Sequence, residues 1–251
     1  MTLIIEERIA NDMKEELYTI PVNDAFAADC ECPLCAMRKE LEQNAIEYTM
    51  GPSYMEDDNR ALTDEQGFCM VHIKTLYEQN NRLGLALMLQ THMMKTTKDL
   101  KALSTKKPAG SGLLKKDKTT TPVWTYIQKK EENCFICNRV NHTFERYLHT
   151  IFHLWKKDKD FSSKFKSCKG FCTYHYGLLF ETSKEYLKGA ELDSFLNLLN
   201  EVYFENMSRL AEDIEWFINK FDYRYQDEPW KNAKDALPRS IVKTNHTILD
   251  R

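Results

Sequence analysis

Glycine and proline are scarce in this sequence, 8 and 7 among 251 residues, and a sheet-rich chain with many tight turns would need more of both. No apolar run is long. The longest, Leu83 to Leu89, falls far short of the roughly 20 residues that cross a bilayer as a helix. The opening segment breaks its apolar run at Glu6 and Glu7 and shows no small-residue cleavage site, so it does not read as a signal peptide. No glycine-rich phosphate loop, cofactor fingerprint or nucleophile with an evident base is found. Neither charge sign dominates: a net charge of −3 gives no global attraction to nucleic acid or to an anionic membrane. These absences lead us to expect a cytoplasmic, mainly α protein with no membrane association, and they weigh against an enzyme without excluding one.

The composition supplies the positive half of that reading. With 42% hydrophobic and 29% charged residues the chain can bury a real core and stay soluble. Its length suits one large or two smaller units.

Eight cysteines carry the chemistry. Cys32-Pro33-Leu34-Cys35 is followed by Gly67-Phe68-Cys69-Met70-Val71-His72, and Cys134-Phe135-Ile136-Cys137 by Gly170-Phe171-Cys172-Thr173-Tyr174-His175. Both read C-x2-C, a gap, then G-F-C-x2-H. The gaps hold 33 and 34 residues, and matched positions recur at an offset of 102 or 103. In a reducing compartment such pairs more often mean metal than disulfide. A C-x2-C turn offers two thiolates to one ion, and a C-x2-H pair on one helical face completes the tetrahedron that structural zinc prefers. The spacing therefore predicts two structural Zn2+ ions per chain, one held by Cys32, Cys35, Cys69 and His72, the other by Cys134, Cys137, Cys172 and His175.

Other readings of the cysteines fit less well. A thioredoxin-like motif needs a βαβ setting, and haem attachment needs a histidine where Ala36 and Asn138 stand. The zinc deaminase signature needs an H-x-E that does not occur, and Pro33 lies inside the cysteine pair instead of before it. Cys30 and Cys168 are left over, each a spare ligand or, by default, a free thiol.

The expected fold is two duplicated zinc-knuckle helical modules plus a long C-terminal helix and tail. Residues 1–104 form an N-terminal arm, with Tyr18 to Val22 extended, and the first module; 105–122 a linker; 123–190 the second module; and 191–251 the C-terminal helix with a wrapping tail. In the first module one helix spans about Leu34 to Thr49, stopped by Gly51-Pro52, and a second runs unbroken from near Phe68 past Lys98. The C-terminal helix covers about Leu192 to Phe221, where Phe195, Leu199, Val202, Leu210 and Ile214 keep helical spacing.

The segments YTIPVNDAF, CPLC, GPSYMEDDNR, GFCMVH and YEQNNRLGLALMLQTH, with the second C-x2-C and GFC-x2-H, resemble a bacterial family of unknown function with paired cysteine motifs. The resemblance covers nearly the whole chain. It implies a cytoplasmic bacterial setting and no particular activity, substrate or catalytic residue.

The charged segments add candidates. Glu47, Glu56, Asp57, Asp58, Asp64 and Glu65 surround Arg60 in the first gap, whereas residues 156 to 170 hold six lysines against Asp158 and Asp160. The two segments either dock by complementary charge or simply face water. Glu56, Asp57, Asp58 and His92 can be read as an acid–base or metal cluster, or as an acidic helix start with an ordinary histidine. Leu83 to Met94 reads as a core helix or a methionine-rich partner surface. Three functional classes follow. The leading one is an interaction or scaffold protein with a protein partner or a second copy of itself. The next is a nucleic-acid-binding zinc-knuckle protein using Lys106, Lys107, Lys115, Lys116, Lys118, Lys156, Lys157 and Lys159. The third is an enzyme or thiol redox sensor using Cys30, Cys168 or the acidic cluster.

Overall fold

The structure is a computed structural model that describes residues 18–105 and 120–249. Every regular element among them is helical. Helix α1 covers residues 18–27. It is followed by α2 (Pro33–Met50), α3 (Asp57–Gln66), α4 (Met70–Glu78) and α5 (Arg82–Ser104). Then come α6 (Pro122–Glu131), α7 (Phe135–Lys157), α8 (Phe161–Ser167), α9 (Thr173–Tyr186) and α10 (Ala190–Asn219). Helix α11 (Ala236–Asn245) ends the series. The same order surrounds each C-x2-C: a helix before the knuckle, a longer helix opening on it, a short helix, a helix opening on C-x2-H, and a long final helix. The long C-terminal helix thus occupies in the second series the place of α5 in the first.

Local chemistry sets the boundaries. Pro33 opens α2, where its missing N–H would have had no intrahelical acceptor. Gly51 ends the same helix, its N–H donating to the Glu47 carbonyl at 2.8 Å. Residues 18–22 are helical, not extended. Proline's fixed φ suits a helical turn, and Val22 and Phe26, four apart, both bury. The predicted single helix from Phe68 past Lys98 is two. Asn81 breaks it, its side chain accepting from Gly84 N at 2.9 Å and donating to Met50 O at 2.8 Å. A short polar side chain that bonds backbone on both sides competes with helix continuation. Gly84 is required there, since a Cβ would lie 2.6 Å from Asn81 Nδ2. The gap segments hold helices α3 and α8 where return loops were expected. Most of the predicted linker, 106–119, lies outside the described residues, but Pro122 already opens α6 behind an N-capping Thr121.

Packing divides the chain into two units, though not into consecutive halves. Residues up to Glu40 join those from Thr143 onward, and Leu41–His142 form the other. Helices α2 and α7 each begin in one unit and end in the other. The first unit has an aromatic core: Phe26 stacks on Phe165 with centroids 5.5 Å apart, and Phe171 and Phe195 also meet Phe165. These rings are fully buried. The second unit's core is aliphatic, with Ile46, Leu76, Met88, Ile136 and Val140, and Phe68 set edge-on against Phe135 at 6.5 Å. Phe68 and Phe171, the phenylalanines of the two G-F-C motifs, therefore each pack into the unit that holds their own cysteine.

Candidate metal centres

All eight motif residues gather into two clusters, each with three sulfurs and one imidazole nitrogen within 4.8 Å of one another. The pairing is exchanged relative to the prediction. Cys32 and Cys35 meet Cys172 and His175 in one cluster, while Cys134 and Cys137 meet Cys69 and His72 in the other. Each C-x2-C is completed by the C-x2-H of the opposite half. The offset of 102 or 103 residues makes the two C-x2-H motifs equivalent as partners, so spacing alone does not choose between them.

Matching backbone turns deliver the clustered side chains. Cys69 and Cys172 both stand at helix N-caps with extended backbone, φ −71° in each. The glycines before them take positive φ, 67° at Gly67 and 82° at Gly170, a region that costs a side-chain-bearing residue. Both glycines are also crowded: an added Cβ would meet the His92 ring at Gly67, and Asn206, the Val202 carbonyl and Lys243 at Gly170. In the first cluster His175 Nδ1 lies 3.4, 3.3 and 3.2 Å from the sulfurs of Cys32, Cys35 and Cys172. In the second, His72 Nδ1 lies 3.2, 3.4 and 3.3 Å from Cys69, Cys134 and Cys137.

The outer ring nitrogens differ. His72 Nε2 bonds Glu42 Oε1 at 2.7 Å. His175 Nε2 is buried without a hydrogen-bond partner, and its ring packs against Phe144 with centroids 5.6 Å apart. Glu42 follows Cys35 by seven residues and Phe144 follows Cys137 by seven. The matched positions of α2 and α7 therefore put a carboxylate on one histidine and a benzene ring on the other.

The knuckles are also fastened differently. In the second cluster Phe135 N donates to Gly67 O at 2.9 Å, joining one cysteine turn to the other. The matching residue in the first cluster is Pro33, which has no N–H to give. There Lys243 of α11, buried to 1% exposure, donates to Glu31 O at 2.7 Å and to Lys169 O. Those carbonyls precede Cys32 and Gly170, so one ammonium spans both knuckles. The Glu31 carboxylate is held by Arg209 at 2.6 Å, with Lys243 and Arg239 at 3.4 and 3.5 Å.

Crowding shows in the ionisation of the clustered thiols and imidazoles. Burial pushes Cys32 up to about 12, and burial with the neighbouring Cys134 pushes Cys137 up to about 12. Hydrogen bonds with Cys172 and Cys32 raise Cys35, while bonds from Cys32 and Cys35 hold Cys172 low. Burial opposes charge on Cys134 and His72 alike. Their mutual bond overrides it, bringing Cys134 down to about 6 and, with Glu42, His72 up to about 10. A divalent cation replaces these shared protons naturally, because metal ligation needs thiolates and neutral imidazole.

The other candidates do not assemble into a site. His92 Nδ1 bonds the Asp64 carbonyl at 2.9 Å and Glu56 contacts Asn59 at 3.5 Å. Among the described residues, the groups that can hold a metal are the two cysteine–histidine clusters and do not include Glu56, Asp57, Asp58 or His92. Asp57 and Asp58 lie in the first turn of α3, where the helix dipole favours acidic residues. Cys30 and Cys168 stay outside both clusters; burial raises both thiols, Cys168 to about 11, which suits inert thiols. The charged segments find partners within their own units: Lys166 with Glu201, Lys169 with Asp29, and Glu65 with Lys95.

No helix among the described residues is long and apolar enough to cross a membrane. Comparisons with curated proteins and with solved structures each give no match. A family model does match, over residues 13–251, and the chain belongs to that family, a family of unknown function (DUF6062).

Proposed function

We propose that this chain is a zinc-stabilised helical scaffold that presents its surface to a protein partner or to a second copy of itself. The observation that carries the zinc reading is the size of the two clusters. A tetrahedral zinc ion with ordinary bond lengths needs nitrogen–sulfur edges of about 3.5 Å and sulfur–sulfur edges of about 3.8 Å. The nitrogen–sulfur distances run from 3.2 to 3.4 Å, and Cys35–Cys172 and Cys69–Cys137 stand at 3.6 and 4.0 Å. Three thiolates and an imidazole are too soft a set for magnesium or calcium, and four donors close the sphere in the manner of structural zinc.

Each ion would contribute on the order of 10 kcal/mol of apparent folding free energy, comparable to the whole stability of an ordinary domain. The scaffold role draws on exposed apolar side chains. Met93 and Met94 on α5 are 61% and 66% exposed, the adaptable residue type found on many partner surfaces. The nucleic-acid reading has less support, since the chain carries a net charge of −3 and its sequence has no basic stripe interleaved with aromatic residues.

Metal analysis of the purified chain tests the proposal. Two zinc ions per chain are expected, with loss of helical signal and of the cooperative melt once a strong chelator removes them. A chain that purifies without zinc, or that melts identically with and without chelator, rules the reading out.

A further inference from the structure

The two centres differ in their access to solvent. Cys32, Cys35, Cys172 and His175 are all 4% exposed or less. In the other cluster Cys69 and Cys137 are only half-buried, and a cavity of about 410 Å³ opens on Cys69. Phe68, Met70 and Val71 form its apolar wall, while His92 and Lys130 form its polar one. Met70 and Val71 at its rim are exposed, so the cavity meets bulk solvent. Cys32 of the first centre also borders a cavity, of about 560 Å³, but it is 1% exposed there, whereas Cys69 is half-buried beside its own.

We propose that the Cys69–Cys137 pair is a hydroperoxide-sensitive thiol switch whose oxidation releases the ion of the second centre. The proposal rests on the zinc reading above. Cys69 is the residue that reacts: it is half-buried, it lines the cavity, and it stands at the N-cap of α4 beside the exposed Met70 and Val71. The Cys69 thiolate displaces alkoxide from the hydroperoxide; the O–O bond breaks, an S–O bond forms, and the alkoxide takes a proton from water. Cys137 Sγ, 4.0 Å away, then attacks the sulfenic sulfur. The S–O bond breaks, the disulfide forms, and hydroxide leaves to be protonated. Two thiolates have lost two electrons and the peroxide has become alcohol and water. Only Cys134 and His72 then remain as ligands, and a two-ligand site does not hold zinc tightly. The closed first centre keeps its four ligands and its ion.

The full zinc-loaded chain tests this directly. Zinc is first counted, then hydrogen peroxide is added in steps while a zinc-binding dye reports release and peptide mass spectrometry locates disulfides. One ion per chain is expected to leave at least tenfold faster than the other, accompanied by a Cys69–Cys137 disulfide. Two ions counted at the start but released at one rate, or a first disulfide between other cysteines, overturn the switch and leave the scaffold reading intact. Fewer than two ions at the start overturn both. No substitution is required, so a variant that misfolds cannot obscure the result.

Discussion

Glu42 Oε1 lies 2.7 Å from His72 Nε2. A carboxylate on the outer nitrogen orients the ring, fixes which nitrogen carries the proton and raises the basicity of the inner one. His175, facing Phe144, has none of this, and an N–H buried without an acceptor costs about 1–3 kcal/mol. The buried centre relies on water exclusion and on Lys243, and the more open centre on a carboxylate.

Glu42→Ala should therefore weaken zinc binding at the second centre by about 10- to 100-fold and leave the first unchanged. Competition against a chelator of known affinity resolves the two sites, and an equal loss at both would show that Glu42 acts on the fold instead of on His72.

The exchanged pairing predicts an unusual pattern among double variants. Cys35→Ser with Cys172→Ser removes two ligands from one centre and should leave one zinc ion per chain. Cys35→Ser with Cys69→Ser damages both centres and should leave far less than one. If the first pair abolished all binding while the second preserved one ion, ligand pairing within each half would be restored.

Zinc affinity should fall with acidity. Cys32, Cys35 and Cys137 have raised thiol pKa values, so each holds a proton at neutral pH and must release it on ligation. The apparent affinity should drop by roughly tenfold or more per pH unit below 7, because at least one proton is released per ion. Indicator dye in weak buffer should show acidification on adding zinc to the metal-stripped chain; a flat pH signal would contradict it.

Lys243→Met should destabilise the metal-loaded chain by about 3–5 kcal/mol, the usual cost of leaving a buried charge network short of one partner. Urea unfolding followed by circular dichroism measures this. A change under about 1 kcal/mol would mean that the knuckle carbonyls of Glu31 and Lys169 find other donors.

Much of this architecture was legible from residue spacing. Helix α2 was bounded to within a residue at each end by Pro33 and Gly51, and the eight clustered residues were marked by the C-x2-C and G-F-C-x2-H repeats. The pairing was not legible, because a repeat states which motifs are alike and not which of two like partners packs nearby. A signal lay seven residues after each C-x2-C, where Glu42 and Phe144 differ, but its meaning depends on which histidine each side chain reaches. Lys243 was hidden for a related reason: an isolated lysine on a short helix reads as solvated until the carbonyls of Glu31 and Lys169 are seen to surround it. The break at Asn81 was missed because apolar periodicity continues through it, while the side-chain bond to Met50 that stops the helix is non-local.

The exchanged pairing also bears on how the chain matures. Cys35 and Cys172 are 137 residues apart, against 68 for Cys69 and Cys137. Synthesis runs from the N-terminus, so Cys32 and Cys35 emerge long before their true partners and meet Cys69 and His72 first. That early quartet offers the same donors as the final one, three sulfurs and an imidazole, so donor chemistry alone does not favour the right match. Closing the loop to Cys172 instead of Cys69 lengthens it about fourfold and costs only about 1.2 kcal/mol more. If the clusters hold zinc, metal supplied during synthesis should then trap more of the wrong quartet than metal supplied to the complete chain.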